Sequence, residues 1–334
     1  MSRLGCFPFA RGGPLWRRRV RSLPAGCARV LLKLEQYNPT GTAKIRMARQ
    51  MVDDAEAEGK LQPGGWLVES TSGNTGIGLA LIAAERGYRF TAIVDGHSSD
   101  DKLRAMQAYG AELITVGNPE GGLATDERDR KAQEIAREHG AYWTKQHRNP
   151  SNPDGYRGLA DELRDALGDG IDYLFGAVGT GGSLCGTGRI LRKCNPQLKV
   201  IGVEPEGSIM FGGEGAPYHQ QGTGTPAGSD TGDVVDYDLI DEGLKVHDAA
   251  AFETSRHLAR QHGILVGGSA GGVIYRAVQR ARTLAADTTL VVLVCDGGEK
   301  YLDTVFNDDW MAAHHLRDPR IAEELHQLIP RATR

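Results

Sequence analysis

The chain alternates short apolar runs with helical patterns, and small-residue loops sit at the junctions. Trp66-Leu67-Val68 leads into Glu69-Ser70-Thr71-Ser72-Gly73-Asn74-Thr75-Gly76, and an alanine-rich helical pattern runs on from Ile77 to Arg86. That order is strand, loop, helix. It recurs along the chain: strands at Val30–Leu34, Phe90–Val94, Glu112–Val116, Tyr173–Val178, Val200–Glu204 and Leu290–Val294, and an extended stretch at Ala141–Trp143. Helices are expected near 43–58, 100–109, 125–139, 156–167, 248–262 and 273–285. Strands alternating with helices at this spacing imply βαβ units and parallel sheets covered on both faces. The fold class is therefore α/β. Residues 206–234 are rich in Gly, Pro, Ser and Asp without a clear period, and loops that long usually carry function or mobility.

Length and composition narrow the class further. A chain of 334 residues accommodates two domains or one large α/β unit. Glycine is high, at 45 residues against a usual ~7%. The excess sits after strands, where backbone must approach something closely. Five cysteines in no metal-binding spacing suggest reduced thiols, a cytoplasmic setting and no metal, and no apolar run approaches the ~20 residues of a membrane span. The net charge of −4 is uneven. Seven arginines and Lys33, with no acid, give residues 1–34 a charge of +8, leaving −12 elsewhere. A transit peptide or a nucleic-acid arm has that look, but a short solvated lead-in is the simpler reading, because Val30–Leu34 already reads as strand. No nucleic-acid or membrane partner is expected.

Three loops and one lysine carry the chemistry. The loop at 69–76 ends where a helix leaves its first N–H groups unpaired, a natural anion site, although any βα turn shares that shape. Gly179-Thr180-Gly181-Gly182-Ser183 follows the strand ending at Val178 and opens a helix, so its N–H groups can converge on a phosphate. A dinucleotide site is the rival, with Glu204 placed to hold a ribose hydroxyl. The fingerprint fails at its third glycine, where Leu184 stands. Gly267-Gly268-Ser269-Ala270-Gly271-Gly272 again joins strand to helix. Lys44 opens a helix; it is either a solvated charge or an amine able to condense with a carbonyl cofactor.

Taken in order, Asn38-Pro39-Thr40-Gly41-Thr42-Ala43-Lys44-Ile45-Arg46, then Thr71–Gly76, the 179–183 loop and Ser269 resemble the cysteine synthase/cystathionine β-synthase family. These are pyridoxal-phosphate enzymes of fold type II. The likeness runs from Gly12-Gly13-Pro14-Leu15 to Trp310. It implies a tryptophan synthase β-like architecture, two three-layer α/β/α domains with largely parallel sheets. The large domain would comprise 1–38 plus 157–334 and carry the phosphate loop; a smaller mobile domain, 39–156, would carry the substrate-carboxylate loop.

The resemblance assigns roles residue by residue. Lys44 would hold pyridoxal 5′-phosphate as an internal aldimine and move the substrate's Cα proton. Asn74 would hydrogen-bond the 3′-oxygen. Thr71, Ser72 and Thr75, with Gln146, would take the substrate carboxylate. Gly179, Thr180, Gly181, Gly182 and Ser183 would cradle the cofactor phosphate. Gly222, in Gly222-Thr223-Gly224, would lie near the substrate amine, and Ser269 would face the pyridine nitrogen. A neutral hydroxyl there leaves the nitrogen largely unprotonated and the ring a shallower electron sink, which favours expulsion of a β-leaving group. The implied reaction is β-replacement on O-acetyl- or O-phospho-L-serine through an aminoacrylate, giving L-cysteine or a related β-substituted alanine.

Gly121-Gly122, Arg128, Tyr156 and Gly207–Gly212 are similar to a siderophore-pathway branch that joins O-phosphoserine to glutamate. In that branch Arg128 and Tyr156 would grip the second substrate or a phosphate; the plainer alternative makes Arg128 one charge on an exposed helix. A serine/threonine dehydratase and a nicotinamide-dependent dehydrogenase built on Gly179 and Glu204 are further alternatives, as is a scaffolding role through the basic N-terminus. The family usually has Asp after the lysine, where this chain has Ile45. No Cys–His pair precedes the core, so the haem of some relatives is not implied. Related enzymes are commonly homodimers.

Overall fold

The computed structural model describes residues 15–16, 28–71, 73–96, 99–117 and 124–331. In chain order the elements are β1 (Leu15–Trp16), β2 (Arg29–Leu34), α1 (Lys44–Ala57), β3 (Trp66–Ser70), α2 (Asn74–Arg86), β4 (Arg89–Val94), α3 (Asp100–Ala108), β5 (Glu112–Thr115), α4 (Thr125–His139) and β6 (Tyr142–Trp143). There follow α5 (Ser151–Asp154), α6 (Arg157–Leu167), β7 (Tyr173–Ala177), α7 (Gly182–Cys194), β8 (Lys199–Pro205), β9 (Glu242–Val246), α8 (Asp248–His257), α9 (Gly268–Ala281), β10 (Thr289–Val294), α10 (Asp308–Ala313) and α11 (Pro319–Leu328). The sequence expectation of an α/β protein with largely parallel sheets holds, and no helix among the described residues is long and apolar enough to cross a membrane.

The chain divides into two compact units. Unit 1 comprises Met1–Ala43, Arg157–Gly228 and Val235–Arg334; unit 2 comprises Lys44–Tyr156 and Ser229–Val234. This departs from the sequence expectation in two places. Residues 39–43 go with unit 1, because Ala43 N–H donates to Cys295 O at 2.8 Å and Thr42 bridges Asp296. Residues 229–234 join unit 2, because Asp233 N–H donates to His147 O at 2.9 Å and Arg148 forms ion pairs with Asp230 and Asp233.

In unit 1 six strands run β1-β2-β10-β7-β8-β9, parallel except for β1, which pairs antiparallel with β2. Every residue of β10, Thr-Leu-Val-Val-Leu-Val, is buried, as a strand covered on both faces requires. Each such aliphatic side chain contributes about 1.5–3 kcal/mol by leaving water. Lys33 on β2 is not part of a solvated lead-in. It is 1% exposed and its Nζ lies 2.9 Å from Glu35 and 2.8 Å from Glu162. Glu35 in turn accepts from Asn38 Nδ2 at 2.8 Å, so a buried ion cluster fixes the start of the Asn38–Thr42 turn that delivers Lys44.

In unit 2 four parallel strands run β5-β4-β3-β6, and Val68, Ile93, Ala132, Ile135 and Ala141 form a core cluster there. Helices α1 and α2 approach closely at Gly78, where a Cβ would stand 3.1 Å from Ala48 Cβ and 3.4 Å from Ile45 Cα. Ile45, where the resembled family carries Asp, is buried, so an apolar side chain takes the place of a charge at the start of α1.

Candidate active site

Each unit carries its own group of the singled-out residues. In unit 2, Lys44 is the half-buried first residue of α1. Asn74 is the first residue of α2, whose N-terminus opens onto the Thr71–Gly73 turn. The turn is closed by Thr71, whose hydroxyl accepts from Gly76 N–H at 3.2 Å and Gly73 N–H at 3.4 Å. Gln146 enters the same loop from beyond β6, the strand paired with β3: Thr75 Oγ1 donates to its Oε1 at 2.7 Å, and its Nε2 donates to Ser70 O at 3.2 Å. Thr71, Thr75, Asn74 and Gln146 thus share one corner at the C-terminal end of β3, beside a helix N-terminus suited to an anion. Ser72 lies outside the described residues, as do Gly121-Gly122, Gly12-Gly13-Pro14 and the arginine-rich stretch before Ala28.

Two residues of this corner escape sequence reading. Glu69 ends the apolar run, is 2% exposed, and accepts hydrogen bonds from the Thr144 hydroxyl and, at 3.3 Å, from Gln146 N–H. Burial pushes its carboxyl up to about 7, against the lowering effect of those two donors. Lys145, between the donors, has a left-handed backbone with φ of 48°. The hint for Glu69 is an acid continuing the apolar run Trp66-Leu67-Val68.

Arg128 is not a charge on an exposed face. It is 8% exposed, and its Nε lies 3.2 Å from the buried carboxylate of Asp95, which also accepts from Ala124 N–H at 3.1 Å; Arg128 Nη2 donates to Thr125. Its visible work is to pin the start of α4 to the end of β4. Tyr156 is fully buried.

In unit 1 the loop after β7 forms a backbone cradle. Gly181 caps α7 in the left-handed region at φ 82°, and a Cβ there would fall 2.8 Å from Val235 Cγ2. A Cβ at Gly179 would fall 2.7 Å from Gly222 O. Thr180 and Ser183 are buried beside these glycines, and Gly182 N–H donates weakly to Thr180 Oγ1 at 3.4 Å. Gly222-Thr223-Gly224 is tied to the same strand end: Gly224 N–H and Thr223 Oγ1 donate to Val178 O at 2.7 and 3.0 Å. Ser269, 7% exposed, is the second residue of α9. Cys295 Sγ lies 4.0 Å from Ser183 Oγ, and the Cys295 carbonyl holds Ala43, the residue before Lys44.

Glu204 does not serve a ribose. It is fully buried, and its oxygens accept from Met210 N–H and Phe211 N–H at 3.0 Å and from Lys245 Nζ at 2.7 Å. The acid that a dehydrogenase needs for its cofactor is consumed by the 207–212 loop of its own chain.

The family model for pyridoxal-phosphate dependent enzymes matches residues 8–296. The chain belongs to that family. The enzyme is 51% identical over 306 residues to a putative cysteine synthase of Sinorhizobium fredii (strain NBRC 101917 / NGR234), an alignment spanning 91% of each chain. Among solved structures it is similar to O-ureido-L-serine synthase, at 33% identity and a TM-score of 0.78 over 90% of this chain and 100% of the other. It is also similar to O-acetyl serine sulfhydrylase isoform 3 from Entamoeba histolytica, at 27% identity and a TM-score of 0.82 over 93% and 91%. It is a cysteine synthase-like, fold type II enzyme of the β-replacement kind, and its cofactor is pyridoxal 5′-phosphate.

The residues present fit that cofactor. The 179–183 loop offers a helix N-terminus and a backbone that stays bare at Gly179 and Gly181, where a Cβ would collide with Gly222 O and Val235, so its N–H groups are left to face a phosphate. Gly181→Ala is therefore expected to cost about 1–2 kcal/mol of stability and to weaken cofactor retention at least several-fold. Equilibrium dialysis of the holoenzyme against buffer, with phosphate as competitor, measures the second effect; unchanged retention would remove the loop from the cofactor site.

Proposed function

We propose that the enzyme replaces the oxygen substituent of an O-activated L-serine, O-acetyl- or O-phospho-L-serine, with sulfide to give L-cysteine. The observation that carries this reading is the corner where Gln146 is hydrogen-bonded to Thr75 and Ser70 at the N-terminus of α2. Its hydroxyls, amide and helix dipole suit the α-carboxylate of an amino acid. Similarity to proteins named putative cysteine synthase and O-acetyl serine sulfhydrylase supports the same substrate class.

Bound pyridoxal phosphate supplies an electron sink for the carbanion formed at the substrate Cα. This chain's residues do the rest. Lys44 would hold the cofactor, take the Cα proton, and return it after acetate or phosphate has left Cβ and sulfide has added there. Asn74 would hydrogen-bond the cofactor's 3′-oxygen, and Gly179–Ser183 would hold its phosphate. Ser269 would offer the ring nitrogen a neutral hydroxyl in place of a carboxylate that would keep it protonated. Thr71, Ser72, Thr75 and Gln146 bind the carboxylate, and Gly222 lies beside the amine.

The test offers O-acetyl-L-serine and O-phospho-L-serine to the holoenzyme, each with sulfide or L-glutamate, and identifies the amino acid formed by mass spectrometry. L-cysteine from sulfide is the expected result. A glutamate adduct alone would assign the enzyme to the siderophore-type condensation, and pyruvate alone would make it a dehydratase.

A further inference from the structure

The buried carboxyl of Glu69 has no part in the chemistry above, yet it sits against the residues that perform it. Its side chain receives Thr144 O–H and Gln146 N–H, the two donors flanking the left-handed Lys145. The chain beyond is fixed as well: Asn152 Nδ2 donates to Gln146 O at 2.7 Å. Held at its N–H and its carbonyl, Gln146 places its side-chain amide between Ser70 O and Thr75 Oγ1. The Lys145 ammonium lies 4.9 Å from the centre of the Trp143 ring, so the strained residue is anchored outward. Strain of this kind persists only where its surroundings over-determine it. We propose that Glu69 is a positioning residue: it holds the Thr144–Gln146 turn so that the Gln146 amide meets the substrate carboxylate.

The proposal rests on the reading of Gln146 as a carboxylate-binding residue and adds a control over it. Ionised, Glu69 accepts both donors as a full charge, and hydrogen bonds to a charged acceptor are roughly twice as strong as neutral ones. Protonated, it holds the turn less firmly. The titratable groups that face it are Asp129 from α4, which favours the protonated form, and Tyr142 from β6; β4 presents Ala92 at the paired position. With the carboxyl poised at about 7, amino-acid binding weakens as pH falls from 8 to 6.

The experiment titrates the holoenzyme with O-acetyl-L-serine between pH 6 and 8, following its visible absorption, and separates KM from kcat in turnover. Wild type is expected to show half-saturation rising several-fold toward pH 6. Glu69→Gln should be flat across this range, at the wild-type pH 6 value, with kcat within about two-fold. Thr144→Val, which leaves the carboxyl in place, should raise KM about ten-fold, equivalent to about 1.4 kcal/mol and near one charge-assisted hydrogen bond. Glu69→Gln tracking wild type at every pH, or Thr144→Val leaving KM unchanged, would overturn the role of Glu69. A wild-type holoenzyme that responds to no O-activated serine would instead refute the β-replacement reading.

Discussion

Lys44→Ala is expected to fold, to bind pyridoxal phosphate without a covalent bond, and to lose about 10³-fold or more in kcat. Alanine is the best helix former, and the replaced side chain is the half-buried first residue of α1, so the helix has no reason to fail. The cradle at Gly179–Ser183 belongs to unit 1 and keeps its own hydrogen bonds. What disappears is the amine. General acid–base catalysis is worth about 10²–10⁴-fold, and in the proposed mechanism the same group also holds the cofactor. Borohydride reduction of the wild-type holoenzyme, followed by proteolysis and mass spectrometry, should find the pyridoxyl phosphate mass on the peptide containing Lys44. The variant should yield no labelled peptide and no visible band surviving gel filtration. Label on any other lysine would displace Lys44 from its role.

Glu69→Gln is expected to change stability as well as binding, and in the opposite sense. The folded protein takes up the Glu69 proton at about 7, whereas the unfolded chain does so near 4.5. Between those values the native state binds more protons than the unfolded one, so this group makes wild-type stability fall as pH rises from about 4.5 to 7 and level off above. The separation is worth roughly 3 kcal/mol at 1.36 kcal/mol per pH unit. Glutamine cannot ionise and keeps an oxygen to accept from Thr144 and Gln146. Relative to wild type, the variant should gain roughly 3 kcal/mol between pH 4.5 and pH 8. Urea unfolding of both proteins at the two pH values gives the double difference, and an equal difference at both would place the Glu69 titration near its ordinary value. A charge that costs stability while tightening the substrate corner is the usual bargain at a functional site.

The strands with continuous apolar runs, β2, β7, β8 and β10, were legible because the sheet buries them on both faces. β9 was not, since Glu242-Gly243-Leu244-Lys245-Val246 has no such run. It is the last strand of its sheet, and Gly243 clears room for the Phe211 ring, which would lie 2.2 Å from a Cβ there. Helix α9 starts at Gly268, five residues before the sequence pattern places it, for a related reason. The glycines at 268–272 look like a turn, but they are helical and small because α8 lies against them; a Cβ at Gly271 would stand 2.1 Å from Ala251 O. At the site, Lys44 and the three glycine loops announce themselves as local motifs. Glu69 does not, because its partners are set by the parallel pairing of Val68 with Trp143, a contact across 75 residues that no local pattern encodes. Arg128 reads locally as one charge among several, and only the fold brings it to Asp95.

The docking of Ser229–Val234 on the 147–148 turn bears on how this protein is made. On a ribosome, residues 44–156 emerge long before their last partner, and N-terminal domains tend to fold as they appear. Until residue 234 is clear of the exit tunnel, His147 O lacks the donor that Asp233 provides and Arg148 lacks two carboxylates. The turn that carries Gln146 therefore reaches its final form only after the 179–183 loop and Gly222–Gly224 have been synthesised, so a nascent chain stalled before residue 229 should bind amino acids poorly although residues 44–156 are already made.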